Sequence, residues 1–213
     1  MVECESGTLS EQAADQQMPS RTDARDKLIT AAIRLFRRRG YHAGGIAELL
    51  EVSGAPRGSF YYHFPDGKEQ LAIAAVERAG AAIESLLESC FHAAKSLELG
   101  AQKLAAAVAE HFETSGFEAG CPVMTVLLDT VPESSRLHEA GQKVLDRWLD
   151  VLQRHAQRLG DERDTKQLGL ALFVALEGGW VVARIQRSVA PILLAGQAFG
   201  MASLDPSFGP SEA

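Results

Sequence analysis

Apolar residues recur at spacings of three and four positions along most of this chain, a period typical of amphipathic α-helices. The pattern predicts an all-α protein of about nine helices. The longer helices are expected at 22–40, 68–95, 97–114, 135–159, 168–183 and 188–204, with a short one at 123–128. Thr22 or Asp23 should cap the first helix, Gly40 should end it, and its apolar stripe is Leu28, Ile29, Ala32, Leu35 and Phe36. Ser134 or Ser135 should cap the helix at 135–159, and Gly160 should end it.

A stretch in the first third of the chain contains two short helical segments joined by a tight turn. In the first segment, Ile46, Leu49 and Leu50 form one apolar face. Gly54 follows where the chain must turn, because glycine adopts positive φ without a Cβ clash. Pro56 is expected at the first position of the second helix. Two helices joined by such a turn form a helix-turn-helix, whose second helix enters the major groove of DNA.

The second short helix carries groups suited to DNA. Phe60 and Phe64 lie four positions apart and should face inward. Arg57 is the candidate for reading a base, because a guanidinium can bond guanine O6 and N7 together. Hydroxyl and imidazole groups can donate to phosphate oxygens, which fixes register without reading sequence. The candidates for this role are Ser59, Tyr61, Tyr62 and His63, although aromatic residues at helical spacing also suit a core.

Basic residues concentrate around this stretch. The net charge is −7, but residues 21–68 hold nine Lys and Arg against five Asp and Glu, a charge of +4, which leaves −11 elsewhere. Salt screens attraction to phosphate beyond about 8–10 Å, so an acidic body does not exclude DNA binding. Lys68 should reach a phosphate rather than remain solvated. The run Arg37-Arg38-Arg39 suits a basic DNA-binding module, a solvated helix end, or both.

These residues resemble a known family. Gly40-Tyr41, the run from Gly58 to Phe64 and Gly67-Lys68-Glu69 are similar to the DNA-binding domain of TetR/AcrR-type repressors over about residues 22–75. Gly120-Cys121-Pro122 and the run from Ala175 to Gly179 resemble the branch that includes the LmrA and YxaF regulators. The resemblance implies an all-helical homodimer that releases its operator when it binds a small molecule.

One position departs from the family pattern. Gly44-Gly45 stands where members commonly have a Thr or Ser that caps the helix and touches phosphate. We include Gly45 among the candidate DNA-binding residues, as a helix start without a side-chain cap.

The expected domain organisation follows from these patterns. Residues 1–20 are polar and acidic and should form a disordered arm. Residues 21–67 should form the helix-turn-helix DNA-binding domain, residues 68–204 a larger helical effector-binding and dimerisation domain, and residues 205–213 a mobile tail. No Gly-Ser or Pro-rich linker separates the two domains, so the helix starting at Lys68 should transmit movement between them.

Composition favours a cytoplasmic protein. Residues 1–20 lack the apolar core of a signal peptide. Three widely spaced cysteines suit a reducing compartment better than a disulfide framework. Neither the cysteines nor the six histidines show metal-ligand spacing, and we expect no metal and no cofactor.

The last two predicted helices are almost uncharged. Residues 168–183 contain one charged residue, Glu177, and residues 188–204 contain none. A membrane helix needs about 20 apolar residues, and the second stretch is interrupted by Pro191, Gly196 and Gly200. We therefore expect no membrane insertion, and instead a homodimer interface of two helices from each protomer.

The acidic body contains more apolar helix than a DNA-binding module needs, so we expect a ligand cavity between its helices. The candidate lining residues are Phe91, Phe112, Met124, Leu127, Trp148, Phe173, Glu177 and Trp180. Each apolar residue in this set could instead be ordinary core.

Two polar residues of the body have open roles. Glu177 lies among apolar residues, where a carboxylate is costly to bury unless it is paired. It could bind a ligand, or pair across a dimer with Arg184 or Arg187, which we favour slightly. Cys121 could sense oxidants or electrophiles if a helix start lowers its pKa, but a small buried hydrophobic role is favoured.

The function we expect is a palindrome-binding repressor released by a small apolar or aromatic effector. The same module would also suit a transcriptional activator, or a DNA-binding protein that needs no ligand. We find no phosphate loop, nucleophile elbow or metal cluster in the sequence, so an enzyme is not expected.

Overall fold

The computed structural model describes residues 21–131 and 133–199. Over these residues the chain forms nine α-helices and no strand, which confirms the predicted all-α class. The helices are α1 (Arg21–Ala43), α2 (Ile46–Ser53), α3 (Ser59–His63), α4 (Lys68–His92), α5 (Leu97–Thr114), α6 (Met124–Thr130), α7 (Ser135–Leu159), α8 (Thr165–Gln186) and α9 (Ala190–Ala198). The arm expected at 1–20 and the tail expected at 205–213 lie outside the described residues.

The first three helices pack around one apolar cluster. α1 contributes Leu28 and Phe36, α2 contributes Leu49, and the short α3 segment contributes Phe60 and Phe64, all of them almost inaccessible to solvent. A helix of five residues is unstable alone, so these contacts hold α3 in place. The predicted inward orientation of Phe60 and Phe64 is confirmed.

The ends of α1 differ from the prediction. α1 begins at Arg21, so Thr22 and Asp23 lie in its first turn and neither is its N-cap. Gly40 leaves the helical region, with φ of 79°, as expected for a helix end. The three residues after Gly40 are helical again, so α1 reaches Ala43.

The start of α3 also differs from the prediction. Pro56 was expected at the first helical position, but it lies in the turn and α3 begins at Ser59. The Ser59 amide donates to the Pro56 carbonyl at 2.9 Å, which closes a separate turn before the helix. The turn expected at Gly54 is present, with φ of 63°.

α4 connects the first three helices to the later ones, as predicted, and packs against α1, α5 and α7. Arg78 Nη2 donates to Asp26 Oδ1 of α1 at 2.5 Å. Trp148 Nε1 of α7 donates to the Gly80 carbonyl at 2.9 Å. A Cβ on Gly80 would lie 2.6 Å from a methyl of Val144. The missing side chain therefore lets α4 and α7 approach closely.

Polar residues define the starts and ends of the later helices. Ser134 Oγ accepts from the Leu137 amide at 3.1 Å, and Asp164 Oδ1 accepts from the Gln167 amide at 3.0 Å. Gly160 ends α7 in the left-handed conformation, with φ of 70°. The predicted cap at Ser134 and the predicted stop at Gly160 are confirmed.

α8 and α9 leave large apolar side chains in solvent. Val174, Ile185 and Leu194 are 73%, 78% and 62% exposed. In the described part of the chain, α8 alone is long and apolar enough to cross a membrane, and a third of its apolar window is buried within the protein. Buried core helices pass the same test, so length and composition here are weak evidence for a membrane span.

Replacing Ser134 should destabilise the protein more than replacing Ser96. Both serines cap a helix through their Oγ atoms, and Ser96 also bonds Glu98 in the first turn of its own helix, whereas Ser134 donates to Glu69 Oε1 of α4 at 2.5 Å. Ser96→Ala should cost about 1 kcal/mol. Ser134→Ala should cost about 2 kcal/mol, because it also removes a bond to a carboxylate of another helix. Urea unfolding at one protein concentration measures both values, and equal losses would contradict the role of Glu69.

Candidate nucleic-acid interface and ligand cavity

The outward side of α3 and the turn before it present polar groups to solvent. Arg57 is exposed, and the rings of Tyr61 and Tyr62 are 62% and 59% exposed. His63 is half-buried, with its ring packed edge-on against Tyr62 at 4.9 Å. Tyr61 packs edge-on against the buried Phe60 ring at 5.1 Å. The buried phenylalanine thus fixes the backbone that carries these groups.

Ser59 has a local partner that the sequence did not indicate. Its Oγ donates to the Pro56 carbonyl at 2.6 Å. The hydroxyl proton that was expected to bond a phosphate bonds the Pro56 carbonyl in this structure. The hydroxyl oxygen can still accept a hydrogen bond. Contact of Ser59 with a phosphate stays a prediction.

The start of α2 has no side-chain cap, as predicted from the sequence. Gly45 is the N-cap residue and is exposed, and a Cβ built there would meet nothing within 4 Å. Glu48 in the first turn pairs with Arg39 at 2.6 Å. The backbone N–H groups at this helix start can donate hydrogen bonds to an anion such as a phosphate.

Lys68 contacts aromatic rings of α1 rather than open solvent. Its Nζ lies 4.3 Å from the Tyr41 ring centroid and 5.8 Å from that of Phe36. Burial lowers the pKa of Lys68, and the nearby Asp129 carboxylate opposes that shift. In this structure the side chain turns toward the α1–α6 junction, and contact of Lys68 with a phosphate stays a prediction.

That junction is built around Asp129. The Tyr41 amide donates to Asp129 Oδ2 at 2.7 Å, and His42 Nε2 donates to the Asp129 carbonyl at 2.8 Å. A Cβ on Gly40 would lie 2.3 Å from the same carboxylate oxygen. Glycine at this position therefore permits the end of α1 to contact α6.

A cavity of about 530 Å³ lies between α1, α4, α5, α7 and α8. Of the residues predicted to line it, Trp148, Phe173, Glu177 and Trp180 do so. The further lining residues are Ile33, Arg37, Arg78, Ala79, Ala82, Ile83, Leu86, Leu104, Ala107, Val108, His111, Cys121, Pro122 and Leu176.

Four predicted lining residues lie elsewhere. Phe91 and Phe112 are fully buried core side chains. The Phe91 ring fills the space beside Gly100, and Phe112 packs edge-on against Phe117 at 5.5 Å. The other two, Met124 and Leu127, line a separate cavity of about 350 Å³ between α6 and α7. The apolar pattern could not separate core from cavity, because both require apolar side chains.

Arg37 of α1 lies at the polar end of the larger cavity. Its Nε donates to the Gly120 carbonyl at 3.0 Å, and the Gly120 amide donates to the Arg37 carbonyl at 3.0 Å. Its Nη1 donates to His111 Nε2 at 2.7 Å. Arginine has no acceptor, so His111 accepts here and its other ring nitrogen carries the proton. Burial, and then the charge of Arg37, lower the pKa of His111.

Glu177 and Cys121 form a second polar pair on the cavity wall. Burial raises the pKa of Glu177 to about 7, and hydrogen bonding with the Cys121 thiol opposes that shift. Burial, followed by the charge of Glu177, raises the pKa of the Cys121 thiol. The lowered thiol pKa considered for a sensor is therefore wrong, because Cys121 is buried and α6 begins only at Met124.

The partners considered for Glu177 have other contacts within the protomer. Arg184 Nη2 donates to the Glu118 carbonyl at 2.7 Å, and Arg187 lies 5.9 Å from the Phe117 ring centroid. Pairing of Glu177 across a dimer stays a prediction. Within residues 21–131 and 133–199, no group of three or more His, Cys, Asp or Glu is placed to hold a metal.

Comparison with known proteins identifies the family. Residues 28–75 match the model for bacterial regulatory proteins of the tetR family, and residues 98–198 match the C-terminal domain of LmrA/YxaF-like transcriptional regulators. The chain is 34% identical to the HTH-type regulator YxaF of Bacillus subtilis over 178 residues, covering 83% of this chain and 93% of that one. The chain belongs to the TetR family of transcriptional regulators.

Other relatives agree with this assignment. The TetR-family chain is 32% identical to LmrA of Bacillus subtilis, over 80% of this chain and 92% of that one. Its fold is similar to that of a TetR regulatory protein from Rhodobacter sphaeroides, with a TM-score of 0.74 and 24% identity, over 84% and 97% of the two chains. These proteins are regulators and not enzymes, as expected for this chain.

The raised pKa of Glu177 predicts how the stability of this TetR-family protein depends on pH. Folding raises the pKa of Glu177 from 4.5 to about 7, so the folded state holds the proton more tightly. The resulting stabilisation is complete below about pH 4.5 and is lost as pH rises through about 7. Relative to Glu177→Gln, the wild-type protein should lose about 2.5 kcal/mol between pH 5 and pH 8.

Urea unfolding of both proteins at each pH measures that difference. Glu110→Gln is the matched control, because Glu110 is exposed on α5, and it should change stability little. A constant difference between wild type and Glu177→Gln across this pH range would show that the buried carboxyl does not titrate there.

Proposed function

We propose that this protein is a transcriptional repressor that binds a palindromic operator as a homodimer and leaves it when a small apolar or aromatic effector binds. The observation that carries the proposal is the position of α1. This helix packs against α3 through its apolar stripe, and it also supplies Ile33 and Arg37 to the cavity wall. A molecule in the cavity would therefore touch the helix that supports the DNA-binding surface.

Exposure and chemistry of α3 support DNA binding. Arg57 is free to reach a base edge from the turn, and a bidentate contact to guanine would read sequence. The exposed rings of Tyr61 and Tyr62 place hydroxyl groups where phosphates would run. The amides at Gly45 supply a further anion contact at the start of α2.

An apolar face of α8 supports the dimer. Exposed apolar side chains recur at spacings of four and seven positions on one side of the helix, at Leu170, Val174, Val181 and Ile185. Gly178 lies on the same side, and a Cβ built there would meet nothing within 4 Å. Two copies of this face would bury the apolar stripes together, with a close approach at the glycine. A dimer of this kind, rather than a membrane, accounts for the exposed apolar residues of α8.

The cavity and its contacts with α1 support release by an effector. Its volume of about 530 Å³ falls in the range of small-molecule sites, and most of its wall is apolar. The paired bonds between Arg37 and Gly120 join α1 to the loop before α6. Coupling of about 1–3 kcal/mol through such contacts would change operator affinity 5- to 150-fold. The protein would act in the cytoplasm, where its operator is accessible.

Selection of bound duplexes from a random DNA pool tests the proposal directly. Enrichment of a palindrome, with half-site centres about one helical turn apart or a multiple of it, is the expected result. Only weak, salt-sensitive binding without enrichment would argue against specific recognition. Adding compounds that bind the cavity should then release the enriched duplex. A rise of the regulated transcripts on deletion of the gene would distinguish a repressor from an activator.

Replacing Arg57 should relax base choice at one position of each half-site. Arg57→Ala removes the proposed bidentate contact, and discrimination at that position should fall by about 1–3 kcal/mol. Repeating the duplex selection with the variant measures the loss. Lys143→Ala, an exposed change on α7 in the body, is the control and should leave the selected sequence unchanged. Unchanged selectivity in Arg57→Ala would refute base reading by this residue.

A carboxylate on the apolar face of α8 should dissociate the dimer. Val174→Asp would bury two unpaired charges across the symmetry axis, which should raise the dimer dissociation constant at least about 100-fold. Leu128→Asp is a matched control, because Leu128 on α6 is also 73% exposed. Sedimentation equilibrium measures both variants. A Val174→Asp protein that remains as dimeric as wild type would place the interface elsewhere.

A further inference from the structure

We infer that the cavity is selective for an organic anion: an apolar molecule of aromatic size whose single carboxylate or similar acidic group binds the guanidinium of Arg37. This inference rests on the proposed effector site and adds the charge and orientation of its ligand. It follows from how the charges around the cavity are paired.

Arg37 has no carboxylate partner among the described residues, unlike its neighbours. Arg38 pairs with Glu118 at 3.6 Å, and Arg39 pairs with Glu48 at 2.6 Å. In the same part of the chain, the described partners of the Arg37 side chain are the carbonyl of Gly120 and the ring nitrogen of His111. Both partners are neutral acceptors, so they satisfy hydrogen bonds without balancing the charge.

The second arginine of the cavity is already paired. Arg78 Nη2 donates to Asp26 Oδ1 at 2.5 Å, and its Nη1 donates to the Asp26 carbonyl at 3.4 Å. A ligand anion therefore gains little by approaching Arg78. The uncompensated positive charge of the cavity lies at Arg37.

The other titratable groups of the cavity do not balance Arg37. His111 accepts a hydrogen bond from the guanidinium and is therefore neutral, and the buried Cys121 keeps its proton. Glu177 is the remaining acid, and its described polar partner is Cys121 rather than Arg37. With a pKa raised to about 7, Glu177 is more protonated than ionised at pH 6.5. The cavity then carries a net positive charge at one end.

Donor geometry suits an acidic group. A guanidinium has five N–H donors, and two of those of Arg37 serve Gly120 and His111. The remaining N–H groups have no partner among the described residues. They can bond a carboxylate, which arginine binds strongly in a charge-assisted manner. Burial lowers the pKa of Arg37 and makes its charge costly, and an anion would offset that cost.

The rest of the wall suits an apolar ring system. Trp148, Phe173 and Trp180 face the cavity from α7 and α8, and Leu104 and Val108 face it from α5. An apolar body would replace water along these side chains. The acidic group would then point to the single cationic end, which fixes one orientation of the ligand.

Displacement of a fluorescent reporter tests the inference at pH 6.5. The reporter is N-phenylnaphthylamine, a neutral apolar dye that should bind the cavity, and the competitors are naphthoate and naphthamide. The two competitors have the same rings and similar shape, and only naphthoate is charged. Naphthoate should displace the dye from the wild-type protein at a concentration at least about 10-fold lower than naphthamide. Equal potency, or a preference for the amide, would overturn the inference.

Variants assign the preference to Arg37. Arg37→Gln should abolish the preference for naphthoate while the dye still binds, and Arg37→Lys should keep part of it because the charge remains. Arg38→Gln is the matched control, because Arg38 is the adjacent arginine and does not line the cavity, and it should keep the full preference. If Arg37→Gln also loses the dye, the comparison of wild type with Arg37→Lys decides: a reduced preference in Arg37→Lys supports the assignment to Arg37, and an unchanged preference overturns it.

A blocking variant separates this inference from the proposed function. Ala107 lines the cavity from α5, and Ala107→Phe should weaken binding of the dye. If Ala107→Phe weakens dye binding but naphthoate is not preferred, the anion inference is wrong and the proposed effector cavity is still supported. No dye binding, or binding that Ala107→Phe does not affect, would overturn both.

Discussion

The pair of hydrogen bonds between Arg37 and Gly120 fixes α1 against the loop before α6, at the wall of the cavity. Arg37 Nε donates to the Gly120 carbonyl, and the Gly120 amide donates to the Arg37 carbonyl. A Cβ on Gly120 would lie 2.9 Å from the Thr125 hydroxyl, so the loop fits here because it has no side chain. Since Arg37 belongs to α1, this pair ties the DNA-binding half to the cavity.

A second contact at the end of α1 also forms at a glycine. Asp129 of α6 accepts the Tyr41 amide beside Gly40, again at a residue without a side chain. Phe36 and Leu28 of the same helix belong to the buried cluster that contains Phe60 and Phe64. The position of α1 therefore bears on both the cavity wall and the support of α3.

Much of this arrangement follows from local patterns in the sequence. The spacing of Leu28, Phe60 and Phe64 predicted the core of the first three helices, because helical period determines which residues share a face. Ser134 and Gly160 predicted the ends of α7, since caps act within one turn. The same helical period predicted that Tyr61 and Tyr62 face away from Phe60 and Phe64. Pro56 was misplaced, because its turn is closed by a bond to Ser59 that local propensity does not report.

The sequence by itself therefore determined most of the helices, the exposed polar groups of α3 and the apolar character of the body. Tertiary structure alone decided which apolar residues face a cavity, because Phe91 and Trp148 have the same pattern in sequence. It also decided the partners of charged groups: Lys68 lies over Tyr41, and Arg37 meets Gly120 and His111 far along the chain. Helical period acts over a few residues, whereas charge pairing and cavity shape depend on contacts between distant segments.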